Sequence, residues 1–149
     1  MSRPDRKPII DVDLQLKDAG LIAASAACLV DGAAKILDLG TGLMKGVVFV
    51  DVSAIEIASN DELYSLIWQL SSSATFASVI LNAARFDLGA NEVIPAGADQ
   101  DSTIGIKKFP VWNSIDGGQN IYRYARLYTL IEGAIATGGG INYLAWLTK

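Results

Sequence analysis

Regular alternation of side chains is the feature that most restricts the fold of this chain. Between Gly46 and Ile57 the sequence reads GVVFVDVSAIEI, in which Val48, Val50 and Val52 alternate with the odd-numbered residues from Val47 to Ser53. Successive side chains of a β-strand point to opposite faces, and β-branched residues pack well there, so this period of two is typical of a strand. The segment 62–72 alternates in the same way and predicts a second, half-buried strand.

Short apolar segments separated by turn residues continue along most of the chain. Clusters of Gly, Asp, Asn and Ser divide them at intervals that favour an all-β sandwich or barrel of about eight strands. The predicted strands are 19–30, 35–39, 46–57, 62–72, 75–81, 103–109, 120–132 and 140–148. Two of these assignments stay open, because 19–30 also fits an Ala-rich helix and 75–81 also fits a short helix. Residues 86–110 are loosely patterned, and only the strand at 103–109 is expected there.

The end of the chain combines tyrosines, arginines and glycines in an order that predicts two strands. Tyr122, Tyr124 and Arg126 share one face if residues 120–132 are extended, whereas a helix gives no clean apolar stripe. The three consecutive glycines that follow would each cost a helix about 1 kcal/mol. We therefore expect a strand rich in tyrosine and arginine, a glycine loop, and a terminal strand at 140–148.

Charge is unevenly distributed along the chain. The net charge is −4, but the first seven residues, MSRPDRK, carry three positive charges and one negative charge. We expect residues 1–8 to form a flexible basic arm and residues 9–149 to form a single acidic domain. An acidic surface repels phosphate backbones, so no nucleic-acid binding is expected. A membrane-spanning helix needs about 20 residues, and the longest nearly apolar run is shorter, so no membrane association is expected either.

The residue types that most catalytic and metal chemistry requires are missing. The chain has no histidine, which removes imidazole catalysis, Ser-His and Cys-His pairs and nearly all zinc sites. Its single cysteine, Cys28, lies in the apolar run AASAACLV and is predicted to be a core thiol. Asp99 and Asp101 form a D-x-D pair, for which a solvated loop is favoured over a Ca²⁺ site. We expect no enzymatic activity, no cofactor and no metal site.

Three stretches of the sequence carry a family resemblance. They are ILDLGTG at 36–42, WQLSSSATFASVIL at 68–81 and RYARLYTLIEGAIATGGGINYLAWL at 123–147. Together with the valine-rich strand, their order resembles that of the small jelly-roll capsid cement (decoration) proteins of tailed bacteriophages. In that family a D-[LI]-G element leads into the first long strand. An aromatic and arginine-rich strand, a glycine-bearing loop and an apolar terminal strand come near the end.

The resemblance implies a jelly-roll-like β-sandwich with a non-enzymatic role. Members of the family bind the outer surface of the phage head between major capsid protein subunits, stabilise the expanded shell, and often form small homo-oligomers such as dimers or trimers. We therefore expect a virion protein, made in the host cytoplasm, whose partners are the major capsid protein and itself. The candidate contact residues are Arg3, Arg6 and Lys7 on the arm and Tyr122, Tyr124 and Arg126 near the end of the chain.

A second interpretation is a ligand- or carbohydrate-binding β-sandwich module of a virion or tail-fibre protein. Trp68, Trp112 and Trp146 could supply a stacking platform for sugar rings. In the predicted strands, however, Trp68 and Trp146 lie on faces that also carry leucines. We therefore expect these two indoles to pack inside the protein.

Overall fold

The computed structural model describes residues 11–149, and in this range the chain is almost entirely β. Twelve strands and one short 3-10 turn, Val12–Leu14, account for its regular structure, so the prediction of an all-β sandwich is confirmed. In chain order the strands are β1 (Gln15–Lys17), β2 (Leu21–Ile22), β3 (Ala26–Ala27), β4 (Leu29–Val30), β5 (Ala33–Ala34), β6 (Leu37–Asp38), β7 (Lys45–Ile55), β8 (Leu63–Ser71), β9 (Leu81–Gly89), β10 (Gly105–Trp112), β11 (Tyr124–Glu132) and β12 (Ile141–Thr148).

Two antiparallel sheets form the sandwich. The first sheet has the order β1-β12-β7-β10, with β2 also paired to β12. The second sheet has the order β3-β11-β8-β9, with β6 also paired to β11, and β4 and β5 form a separate hairpin. The pairing is nested: β8 pairs with β9, β7 with β10, the short β3 and β6 with β11, and the short β1 and β2 with β12. The chain therefore folds as one long paired hairpin wrapped into two layers.

The hydrophobic core lies between the inward faces of the two sheets. Its most deeply buried side chains come from alternate positions of the long strands, among them Val48, Val50, Tyr64, Leu66, Trp68, Leu70, Leu127, Tyr143 and Leu147. Complete burial of one such side chain contributes about 1.5–3 kcal/mol. The indole Nε1 of Trp68 in the second sheet donates a hydrogen bond to the backbone oxygen of Trp112 in the first, at 2.9 Å. The two layers are thus joined by apolar packing and by this directed contact.

The two tryptophans expected inside the protein are both buried, but in different places. Trp68 belongs to the core between the sheets, as predicted. Trp146 is 2% exposed on the outer face of the first sheet, where it stacks on Phe49 with ring centroids 5.5 Å apart. Cys28 is also buried in the core, which confirms its predicted place.

The last two long strands lie in different sheets. β11 pairs with β8 in the second sheet and β12 pairs with β7 in the first, so the glycine-rich segment between them crosses from one layer to the other. Gly140 has a φ of +126°, and a Cβ at this position would collide with the backbone oxygen of Ile22. Only glycine accepts both that φ and that close approach. The predicted strands and glycine loop are present, but they do not form a hairpin.

Two predicted segments differ from the structure. The segment 75–81 is neither a helix nor a strand up to Leu81, because it forms turns with Phe76 and Val79 at positive φ. The strand β9 that follows was not predicted, since it contains a bulge: Trp68 of β8 pairs with Ala84 and Gln69 pairs with Asn82, which leaves Ala83 as an extra residue in β9. The bulge breaks the period of two on which the prediction depends.

The Ala-rich segment 19–30 is not a helix, so that alternative is wrong. It contains three two-residue strands, β2, β3 and β4, instead of one long strand. β2 pairs with β12 of the first sheet, and β3 pairs with β11 of the second. A segment that serves both layers must turn repeatedly, which neither a long strand nor a helix permits.

The loops gather at two opposite ends of the sandwich. Loops 39–44, 72–80 and 113–123 share the end at which β10 finishes, which we call the Trp112 end. Loops 56–62, 90–104 and 133–140 share the other end, which we call the Glu62 end. Backbone hydrogen bonds join loops within each end, including Leu39 N–H to the Arg123 oxygen at 2.7 Å and Glu56 N–H to the Gly140 oxygen at 2.9 Å.

Candidate protein-contact surfaces

Three of the predicted contact residues belong to the basic arm. Arg3, Arg6 and Lys7 lie outside the described residues. Their contact role therefore stays a prediction from sequence.

The other three predicted contact residues do not form one row. Tyr124 and Arg126 lie on the outer face of β11 and are partly exposed. Tyr122 precedes the strand; its amide donates to the backbone oxygen of Asn113 at 2.9 Å, and its side chain packs against the hydrophobic core. The predicted strand 120–132 in fact begins at Tyr124, which is why Tyr122 leaves the surface row.

The guanidinium of Arg126 is held by neighbouring side chains. Its Nε donates to Oε1 of Gln69 at 2.7 Å, and Gln69 in turn donates to Asn82 at 2.9 Å. The Arg126 guanidinium carbon lies 4.4 Å from the ring centroid of Phe76, which is buried against this face. A cation over an aromatic face gains about 0.5–2 kcal/mol. Arg126 thus anchors loop 72–80 to the second sheet. Its guanidinium already contacts Gln69 and Phe76 before any partner binds.

A salt bridge at the start of β11 fixes the neighbourhood of Tyr124. Arg123 donates to both carboxylate oxygens of Asp38, through Nε at 2.8 Å and through a terminal nitrogen at 2.9 Å. These hydrogen bonds, with a further one from the Gly40 amide, lower the pKa of Asp38 to about 2. The guanidinium carbon of Arg123 lies 5.5 Å from the Tyr124 ring centroid. In a regular strand Arg123 would lie on the opposite face from Tyr124, but Arg123 precedes β11 and can therefore reach that ring.

A groove at the Trp112 end was not predicted from sequence. Three large hydrophobic side chains, those of Leu43, Trp112 and Ile115, line it, and each is between 42% and 59% exposed. Its volume is about 530 Å³, and Lys45 and Ser114 also contribute to the walls. Monomeric proteins rarely leave contiguous large apolar side chains exposed unless the patch has a binding role. The groove is therefore a second candidate contact surface, in addition to the one that contains Tyr124.

The loops around the groove are held by two polar residues. Asn113 is fully buried; its side chain accepts from the Met44 amide at 2.8 Å and donates to the Gly42 oxygen at 2.9 Å. Asp116 accepts from the backbone amide and the side chain of Asn120 and from the Ser114 hydroxyl, and these hydrogen bonds lower its pKa to about 2. The groove walls are thus ordered before any partner binds, which reduces the entropy lost on binding.

A buried lysine closes a small cavity at the other edge of the sandwich. Lys17 is 4% exposed, and its Nζ donates to the backbone oxygens of Asp18, Gly20 and Tyr143 at 2.8, 3.1 and 2.8 Å. Burial lowers the pKa of Lys17. An ammonium group has three protons, and all three are used here. Lys17 therefore joins β1 to β12, although it also lines a mainly apolar cavity of about 240 Å³.

The thiol of Cys28 lies in the same region and is equally enclosed. Its Sγ is 3.1 Å from the Tyr143 hydroxyl and 3.4 Å from that of Thr129. Burial raises the pKa of Cys28, so the reactive thiolate form is disfavoured at neutral pH. The cluster is a hydrogen-bonded part of the core.

Neither a metal cluster nor a membrane helix is found in the described part of the chain. Within residues 11–149 no three cysteine, histidine or carboxylate side chains are grouped so as to hold a metal ion. Asp101 instead accepts a hydrogen bond from the Asn91 amide at 2.9 Å. Over the same range, no helix has the length and apolar character needed to cross a membrane.

Comparison with known proteins gives no assignment, since neither a protein-family model nor a curated protein matches the chain.

Proposed function

We propose that this protein is a capsid cement protein, which binds the outer surface of a phage head between major capsid protein subunits and stabilises the expanded shell. The sequence resemblance described above is the first support. The proposal includes the expected self-association into a small oligomer and a place on the virion. It includes no catalytic step.

The nested strand pairing is the observation that carries the proposal. We infer from it that the sandwich is a jelly roll, the fold that the resemblance implies. If β1 with β2 and β3 with β6 are each counted as one interrupted strand, and the separate β4–β5 hairpin is left aside, eight strands form two sheets of four, as a jelly roll requires. Each strand of the first half of the chain then pairs with its counterpart in the second half, from β8–β9 outward to β1–β12.

The arrangement of contact groups also supports a structural role. Tyr124, the Arg123–Asp38 pair and the groove lined by Trp112 all lie at the Trp112 end. Aromatic residues and arginine are enriched where proteins bind one another, because they combine a large contact area with directed hydrogen bonds. A cement protein needs such a surface and needs no catalytic cleft.

Binding to expanded heads tests the proposal. Empty heads assembled from the major capsid protein of the same genome are mixed with purified protein, sedimented, and heated in a calorimeter. We expect saturable binding at a fixed ratio to the capsid subunit and a higher melting temperature of the heads. An acidic β-sandwich of similar size serves as the control. Heads that bind none of the protein and gain no heat stability would refute the proposal.

The carbohydrate-binding alternative keeps one of its three tryptophans. Trp68 and Trp146 are at most 2% exposed and cannot stack on a sugar ring, whereas Trp112 is 42% exposed beside the groove. A single aromatic ring gives a smaller platform than the three that this interpretation supposed. The surface of the Trp112 end therefore favours a protein partner.

A further inference from the structure

The groove at the Trp112 end exposes apolar surface that the fold itself does not require. Leu43 lies in loop 39–44, Trp112 at the end of β10 and Ile115 in loop 113–123, and each points away from the core. Three separate segments thus bring large hydrophobic side chains to one place. The nearby Gly118 lies against Leu43, where an added Cβ would be 3.7 Å from a Leu43 methyl carbon.

The wall of the groove carries one cation. Lys45 lines the groove, and no carboxylate of the described residues lies within ion-pair distance of it. Asp116, in the loop that carries Ile115, accepts hydrogen bonds from Ser114 and Asn120, and Asp38 is paired with Arg123. The site therefore offers an apolar cleft with one available cation at its wall.

The adjacent edge strand is protected against simple strand addition. β10 is the last strand of the first sheet and carries Lys107, Lys108 and Pro110. Lysine and proline on an edge strand hinder pairing with another chain, because proline lacks the N–H that such pairing uses. A partner at this end would therefore be recognised through its side chains in the groove.

We infer that the groove receives an extended segment of the major capsid protein in which one large apolar side chain is followed or preceded by a carboxylate. The apolar side chain enters between Leu43, Trp112 and Ile115, and the carboxylate pairs with Lys45. A volume of about 530 Å³ accommodates an aromatic or branched side chain with adjoining backbone. This inference rests on the proposed function, since it names the chemistry of the shell partner.

Opposite charges at one position test the inference. Ile115→Asp and Ile115→Lys remove the same apolar contact from an exposed loop position but add charges of opposite sign. We expect both to weaken binding to expanded heads, with the Asp variant at least tenfold weaker than the Lys variant because it repels the partner carboxylate. The same pair of changes at Ile104, which is 63% exposed and directly precedes β10 at the Glu62 end, should alter binding less than twofold.

Removal of the central ring and reversal of the cation complete the test. Trp112→Ala should weaken binding about 30-fold, as for a central interface residue. The Trp112 backbone oxygen that accepts from Trp68 is retained in this variant. Lys45→Glu should weaken binding by tenfold or more, whereas Lys35→Glu, on the segment after β5 near the opposite edge, should not.

The possible outcomes separate the inference from the proposed function. If the unaltered protein binds heads and the Trp112 and Ile115 variants bind equally well, the groove is not the contact and the cement function stands. If Ile115→Lys weakens binding more than Ile115→Asp does, the partner is basic and the inference is overturned. If the unaltered protein does not bind heads, the proposed function itself fails. Circular dichroism of each variant confirms that it is folded.

Discussion

Individual side chains at the Trp112 end are held by partners that are distant in sequence. Asp38 and Arg123 are 85 positions apart and form a two-point contact, and Arg126 meets Gln69 across 57 positions. A sequence pattern identifies Tyr124 and Arg126 as members of one strand face, but it cannot indicate that Arg126 is already bound. The residue types were therefore recognisable in advance, whereas their availability to a partner was not.

The carboxyl group of Asp38 gives a test at this scale. Its pKa is lowered to about 2 by the Arg123 hydrogen bonds, so the folded protein binds fewer protons than the unfolded chain between pH 2 and pH 3.8. The stabilisation is present above that range and is lost as pH falls through 2. In a ¹³C NMR titration we expect Asp38 to titrate near pH 2 and to move towards 3.8 in Arg123→Ala. An Asp38 midpoint that does not change in the variant would exclude the ion pair as the cause.

Elements with an uninterrupted period of two were predicted, and interrupted ones were not. β7 and β8 have long alternating faces, and both were expected close to their observed bounds. β9 was missed because a bulge in its pairing and its residues Asn82, Arg85 and Asp87 hide the alternation. The short strands β2 and β3 depend on pairing with β12 and β11, which are distant in sequence and lie in different sheets, and local sequence does not encode this pairing.

The glycine loop between β11 and β12 allows a matched comparison at the scale of elements. Gly140 combines a φ of +126° with close approach to the Ile22 oxygen, whereas Gly138 has a φ of +78° and nothing near its would-be Cβ. Alanine in the left-handed region costs about 1–2 kcal/mol. We expect Gly138→Ala to lower the free energy of unfolding by that amount and Gly140→Ala to lower it by clearly more, because the backbone must also move. Urea denaturation measures both, and equal losses would contradict the crossing geometry.

On the scale of the whole molecule, the loops at the two ends of the sandwich differ in charge. The loops of the Glu62 end carry acidic residues and no basic ones; these are Glu56, Asp61, Glu62, Glu92, Asp99 and Asp101. At the Trp112 end, loops 39–44 and 72–80 have no charged residue, loop 113–123 has Asp116 and Arg123, and Asp38, Lys45 and Lys149 lie beside these loops. This difference in charge depends on how the fold places the loops at two ends. The composition predicts an acidic protein, but it does not predict which loops share an end. The groove could not be predicted for the same reason, because its side chains come from separate segments.

If the shell partner is acidic, it repels the acidic loops of the Glu62 end. We therefore expect this protein to approach the shell with its Trp112 end first. The double variant Glu92→Gln and Asp99→Asn removes two exposed charges from the Glu62 end without touching the groove. We expect it to associate with expanded heads about twofold faster at low salt and to dissociate at an unchanged rate, because distant charges act mainly on association.

High salt provides the control for this last prediction. The screening length falls from about 30 Å at 0.01 M salt to about 3 Å at 1 M, whereas a strand of nine to eleven residues spans about 30–36 Å. The advantage of the double variant should therefore disappear at 1 M salt. Slower association at low salt would mean that the Glu62 end is attracted to the shell, and the molecule would then bind in the opposite orientation. Stopped-flow light scattering at both salt concentrations distinguishes the two orientations.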